Sequence, residues 1–178
     1  MPGGRRRLAA AAGCADRPAA EAVARAGVHH RYRRSDRFLH GNLGLRLSDR
    51  SDLVAFLHAI HGSDHHILAF AQSTAPGMHH CSWDMSGIDD IGLGAMHMAG
   101  KGHVKGWGLG RHVLGSNYFH YVQDPWGSFA EYSCDIDYIP AARPGDAKCW
   151  DAKYHEPEDS FYLWGPAPPA DFTVNREA

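Results

Sequence analysis

From Leu43 onward the chain is written in short apolar runs separated by turn residues, a texture that suits a strand-rich fold and not a helical bundle. Leu43 to Leu47, Leu53 to Ile60 and His65 to Ala71 read as three successive strands, with turns at Ser48 to Ser51 and Gly62 to Asp64. A second cycle begins at Met78. Met78 to Met85 reads as a strand, and Ile88, Ile91, Leu93, Ala95, Met96 and Met98 mark Ile88 to Ala99 as an amphipathic helix weakened by glycine. Strands at Gly102 to Trp107, Asn117 to Gln123 and Ser128 to Cys134 follow, the last two joined by the turn Asp124-Pro125-Trp126-Gly127. The second half thus reads strand, helix, strand, strand, strand. The first ends in the same three strands, without a legible strand and helix before them. An α+β tandem repeat with an incomplete first copy is the simplest description.

A chain of 178 residues at 44% hydrophobic can bury one core of ordinary size. Its net charge of −2 argues against a generally basic nucleic-acid binder. No apolar run approaches the roughly 20 residues that span a bilayer, so neither nucleic acid nor membrane is expected as a partner. Cys14, Cys81, Cys134 and Cys149 form no Cys-x-x-Cys pair, which indicates neither a zinc knuckle nor a disulfide scaffold and makes a reducing cytoplasm the expected setting. The charge is uneven: nine of the fourteen arginines fall between Arg5 and Arg37, while Lys101, Lys105, Lys148 and Lys153 all come later. That segment is open to three readings, a targeting peptide, a basic arm for nucleic acid, or a tail without fixed structure.

Alternation along a strand puts His80, Ser82 and Asp84 on one face of theirs, and Glu131 and Ser133 on one face of another. If both strands line a concave sheet, His80 and Glu131 converge. Two histidines and one carboxylate on one side of a metal leave the opposite positions open, the arrangement of non-heme Fe(II) oxygenases. His66, His112 and Tyr121 have side chains that can accept, hold and return protons near such a centre. Simpler readings stand beside these. With fourteen histidines some pairs are accidental, and His58, His61, His97, His103, His120 and His155 read as surface or packing residues. Taken alone, Glu131 reads as a solvated charge near a strand end and Tyr121 as a core aromatic.

In order along the chain stand His65-His66-Ile67-Leu68-Ala69-Phe70, Gly77-Met78-His79-His80, Gly110-Arg111-His112, Tyr121, Asp124-Pro125, Gly127 and Glu131-Tyr132. This series resembles the motifs of type I extradiol ring-cleavage dioxygenases, of the vicinal oxygen chelate superfamily, over about Leu43 to Phe172. The resemblance implies paired βαβββ modules forming a cup-shaped mixed sheet around a metal. It implies His80 and Glu131 as ligands of Fe(II), with Mn(II) the alternative ion. It further implies His66 beside bound dioxygen, and His112 with Tyr121 hydrogen-bonding a catecholic substrate, in an enzyme that opens the ring next to its two hydroxyls. A homo-oligomer is expected. Two other classes remain open, a glyoxalase-type metal-dependent isomerase or lyase, and a metal-free, drug-sequestering binding protein.

Three regions follow: an Arg/Ala-rich segment over residues 1–41, a vicinal oxygen chelate domain over 42–140, and an aromatic and proline-rich tail over 141–178 that packs on the domain. In the first region the family's strand, with its first histidine ligand, and the helix after it are not legible. Synonymous codons exist for Val28 to Gly41 that, read one base later, encode Phe-Thr-Thr-Asp-Ile-Ala-Asp-Arg-Ile-Ala-Phe-Tyr-Thr, the end of such a strand and the start of such a helix. The expectation is that this stretch is out of frame or lacks fixed structure. The written chain then carries two family ligands, His29 or His30 being weak substitutes for the third. It should fold marginally, with apolar faces exposed on the strands from Leu53 onward.

Overall fold

The computed structural model describes residues 38–50, 53–141 and 161–176. Turn residues cut the chain into short strands: β1 (Leu45–Arg50), β2 (Val54–Ala59), β3 (Gly62–Asp64) and β4 (Leu68–Ala71), then β5 (His80–Asp84). The helix α1 (Ile88–Gly100) follows, and after it β6 (Gly106–Arg111), β7 (Tyr118–Gln123), β8 (Phe129–Cys134) and β9 (Tyr138–Pro140). They form an antiparallel sheet in the order β1-β2-β4, a small β3-β9 sheet, and a four-stranded sheet in the order β5-β8-β7-β6. β5 runs parallel to β8, and the other pairs are antiparallel.

The parallel pair requires a crossover between β5 and the rest of its sheet, and α1 begins that crossover. Asp89 and Asp90 in its first turn and His97 in its last suit the helix dipole. α1 packs on β7 and β8 and buries Ile91 completely. Gly94 sits at the tightest point: a Cβ there would lie 3.0 Å from the Tyr132 ring, so the glycine that weakens the helix also lets it approach the sheet. On the opposite face of this sheet Trp107, Phe119, Tyr121 and Phe129 form the main core, joined by Phe172 from the C-terminal segment. A smaller core holds Leu39, Leu45 and Leu57. Among the described residues no helix is long and apolar enough to cross a membrane.

The second strand cycle follows the expected order closely, whereas the first departs from it. The run His65 to Ala71 is not one strand. The chain turns at His65, whose N–H donates to the Asp137 carbonyl at 2.6 Å, and only Leu68–Ala71 pairs with β2. The expected turn at Gly62 to Asp64 is instead a strand paired with β9, for which no strand was expected. The strand expected at Gly102 to Trp107 begins at Gly106 and reaches Arg111, since His103 and Val104 bond back to the end of α1 and its following turn. The readings placed on residues 1–37 lie outside the described residues. Residues 38–41 form a helical turn, closed by Asn42 N–H on the Phe38 carbonyl at 2.9 Å, and Leu39 is 3% exposed. The spacing Phe38-Leu39, then Leu43-Gly44-Leu45, is therefore already that of a helix end leading into β1.

Candidate active site

Strand register decides which side chains share a face of the four-stranded sheet. Glu131 on β8 lies opposite Ser82 of β5 on one side and Tyr121 of β7 on the other. His80 is two residues from Ser82 and so shares its face. Next along the sheet, Trp107 of β6 lies opposite Tyr121, and the two rings stack at 5.6 Å. His80 Nε2 comes to 3.6 Å from Glu131 Oε2, and His112 Nε2 to 3.6 Å from Glu131 Oε1. His112, just past the end of β6, lies 3.0 Å from the Tyr121 hydroxyl. His66 stands in the turn before β4, close enough for His80, His112 and Glu131 to act on its charge. The other four candidate residues thus gather around the buried Glu131 carboxylate.

Burial alone would push the Glu131 carboxyl up. The close approach of His112, the positive charge of His80 and His112 where those rings are protonated, and the Ser82 hydroxyl outweigh it and bring the group below its usual value, so it is ionised at neutral pH. Burial is the leading cause for the others. It lowers His80 to about 4 and His66 to about 3, which leaves both rings neutral. It also pushes the Tyr121 phenol well up, with the Glu131 charge adding to the effect, so the hydroxyl keeps its proton. His112 Nδ1 donates to the Phe161 carbonyl at 2.5 Å. In the neutral ring Nε2 is then an acceptor for the Tyr121 hydroxyl.

Three contributors escape a reading of the sequence. Asn117 is buried and donates to Ser133 Oγ at 2.8 Å and to Glu131 Oε1 at 3.4 Å, holding the carboxylate from below. In sequence it reads only as the first residue of the strand Asn117 to Gln123. Phe172 closes the floor against Trp107, Tyr121 and Phe129, with ring centroids 4.8, 5.0 and 5.1 Å away. Main-chain carbonyls of Phe161 and Pro166 take the His112 and Trp107 N–H groups, the latter at 2.7 Å. Backbone acceptors leave no signature in side-chain pattern.

The donor set can be tested against a metal ion. A neutral imidazole and an ionised carboxylate are the forms in which these groups ligate. Donor atoms 3.6 Å apart can share one ion at bonds of roughly 2.1 Å. His80 and Glu131 therefore fit two positions of a two-histidine, one-carboxylate centre. Among the described residues no cluster of three or more His, Cys, Asp or Glu side chains is placed to hold a metal ion.

Parallel strands joined through a helix, two antiparallel strands beyond them, and ligand-type residues on one face of the sheet define the vicinal oxygen chelate fold. No protein-family profile matches the chain. Metapyrocatechase 2 of Cupriavidus necator is 56% identical over 142 residues, covering 79% of this chain and 43% of that protein. A Mn(II)-bound glyoxalase from Novosphingobium aromaticivorans is 28% identical with a TM-score of 0.60, over 78% of this chain and 44% of its own. Homoprotocatechuate 2,3-dioxygenase from Brevibacterium fuscum, in an anaerobic complex with 3,4-dihydroxyphenylacetate, matches in fold alone, at 20% identity and TM-score 0.61, over 79% of this chain and 44% of that one. Over the matched stretch the chain is a relative of metapyrocatechase 2 and has the vicinal oxygen chelate fold. It spans less than half the length of the relatives it matches.

Proposed function

We propose that this chain is the metal-ligating part of an Fe(II)-dependent extradiol dioxygenase, opening a catechol-type ring beside its two hydroxyls. The observation that carries this reading is the convergence of His80, His112 and Tyr121 on the buried, ionised Glu131. His80 and Glu131 would hold the ion. When bound, Fe(II) supplies adjacent open positions for a chelating catechol and for dioxygen, and Mn(II) suits the same donors.

The chain's own residues supply the rest. Tyr121 presents a hydroxyl that stays protonated; it donates to His112 Nε2 in this structure and, with substrate in place, would turn to donate toward negative charge on substrate oxygen. His112, held through Nδ1 by the Phe161 carbonyl, keeps the Tyr121 hydroxyl in place through Nε2 until substrate takes that hydrogen bond. His66, neutral at working pH, offers a site that accepts a proton and returns it. Trp107, Phe129 and Phe172 wall the floor with apolar surface, which excludes water and strengthens each of these polar contacts.

A second reading, a metal-dependent isomerase, draws on the likeness to the Mn(II)-bound glyoxalase. Oxygen uptake separates the two. Anaerobic loading with Fe(II), then addition of catechol and air, should consume dioxygen one-to-one with ring-opened product, and Glu131→Gln should abolish both metal retention and uptake. Full metal retention in both Glu131→Gln and His80→Ala would remove this pair as ligands and the reading with them.

A further inference from the structure

Two pairs of adjacent histidines flank the site, His65-His66 and His79-His80, and both fold in the same way. Their rings stand at 88° and 80° to each other, with Nδ1 facing Nδ1 at 3.0 and 2.6 Å. Two ring nitrogens at that distance need one proton between them, so one donates and the other accepts. In the second pair the direction is set from outside. His79 Nε2 lies 2.6 Å from the carbonyl oxygen of Phe172, which can only accept. His79 therefore carries its proton on Nε2, and in the neutral ring its Nδ1 is the acceptor. His80 must then donate from Nδ1, which leaves a lone pair on Nε2, the atom that faces Glu131 Oε2 at 3.6 Å.

We propose that His79 is a positioning residue: anchored on the Phe172 carbonyl, it fixes His80 as the Nδ1–H tautomer and turns the Nε2 lone pair toward the metal. The inference rests on the reading of His80 as a ligand given above. Ligating histidines are commonly oriented by a partner on their second nitrogen, usually a carboxylate, a carbonyl or water. Here the partner is a second imidazole, which carries the preference of a carbonyl across one more ring. Packing holds the relay in place, since the His79 ring lies against Phe129 at 5.4 Å and Phe172 at 4.8 Å. The C-terminal segment thereby sets two site histidines from its main chain, His112 directly through Phe161 and His80 through His79. The first pair repeats the plan with weaker anchoring: the Asp49 carboxylate stands 3.9 Å from His65 Nε2, and His65 Nδ1 meets His66 Nδ1.

The test uses the full chain and two substitutions. His79→Phe keeps an aromatic ring between Phe129 and Phe172 but offers no acceptor, while His79→Asn restores an acceptor oxygen close to the position of Nδ1. Proton–nitrogen correlation spectra of the metal-free chain read the tautomers, and calorimetric titration with Mn(II) alone reads affinity. The expectation is Nδ1–H on His80 and Nε2–H on His79 in the parent. His79→Phe should lose the His80 tautomer preference and bind Mn(II) about 10–100-fold more weakly, with His79→Asn recovering most of both. A parent His80 protonated on Nε2, or a His79→Phe variant with unchanged tautomer and affinity, would overturn the proposal. If His80→Ala binds Mn(II) as the parent does, the ligand reading fails instead, and the spectra still decide whether the relay exists.

Discussion

The two strand cycles share a plan and differ in closure. In the second, β6, β7 and β8 run antiparallel in that order and β5 adds to β8 in parallel. In the first, β1, β2 and β4 repeat the antiparallel order, but in the described sheet β4 pairs with β2 alone. The consequence shows in burial. β8 buries Phe129, Glu131, Ser133 and Cys134, whereas on β4 Leu68 and Phe70 are 37% and 39% exposed and Ile67 just before it is 55% exposed. Apolar pattern makes a strand, but neighbours on both edges make it core. The place where β5 brings His80 to Glu131 has no described counterpart beside β4.

The largest effect should come from completing the first cycle. Residues 38–41 already form a helical turn leading into β1, so the out-of-frame stretch expected over Val28 to Gly41, if it exists, would have to end before Phe38. Sequencing the DNA over the first codons, and expressing the chain with the alternative frame restored, should give Mn(II) or Fe(II) binding tighter by on the order of 100-fold or more, beyond what loss of an outer-shell contact costs. If no other frame encodes a histidine-bearing strand, the written segment is genuine, and the asymmetry of the two cycles belongs to the protein.

Next in size is Tyr121→Phe, which tests the complete cycle in the restored chain. On the proposed function, loss of a preorganised donor should lower kcat about 100-fold with a smaller change in KM, because the hydroxyl would act on charge that develops during reaction. The ring still packs on Trp107 and Phe172, so the midpoint of thermal unfolding should move little. Equal losses in kcat and stability would reassign Tyr121 to packing alone.

The pH dependence of folding tests what the two cycles share, since each buries one site histidine, His66 in the first and His80 in the second. Burial depresses His80 and His66 from 6.5 to about 4 and about 3. Their contribution to stability is fully present above pH 6.5 and declines as pH falls toward those values, because the unfolded chain binds the protons first. Glu131, also depressed, adds a loss of the same sign below its usual carboxylate range, while exposed Asp64, shifted upward by burial, opposes it weakly. Denaturant melts of the metal-free chain should show stability rising from pH 4 to 6.5 and level above. A flat profile would mean that the site histidines are solvated and the pocket open.

What could be read from sequence follows the same division. Helix periodicity between Ile88 and Gly100, and alternation in β5, β7 and β8, are local signals, and they placed α1 and the face shared by His80 and Ser82. The β3-β9 pairing joins segments far apart in sequence, and its two short strands carry no periodicity of their own. Ordered motifs marked His66 and His112, although neither sits in a ladder: His66 is fixed by its turn and His112 by a carbonyl of the C-terminal segment. Asn117 and the Phe161 and Phe172 carbonyls act through burial and main-chain position, which side-chain chemistry does not advertise.

The smallest effect concerns the open edge itself. Core truncation in either cycle should be costly: Phe119→Ala and Leu57→Ala, both at fully buried sites, should lose about 3–5 and 2–5 kcal/mol respectively. Polar substitution on β4 should not. Leu68→Ser and Phe70→Ser remove side chains that are more than a third exposed, so each should change the stability of the written chain by only about 0.5 kcal/mol. The same changes in the frame-restored chain should cost several times more, because a strand added beside β4 would bury what they remove. Chemical unfolding of both chains with both substitutions forms a cycle whose coupling reads the missing contact directly. Zero coupling would mean that whatever completes the first cycle does not lie against β4.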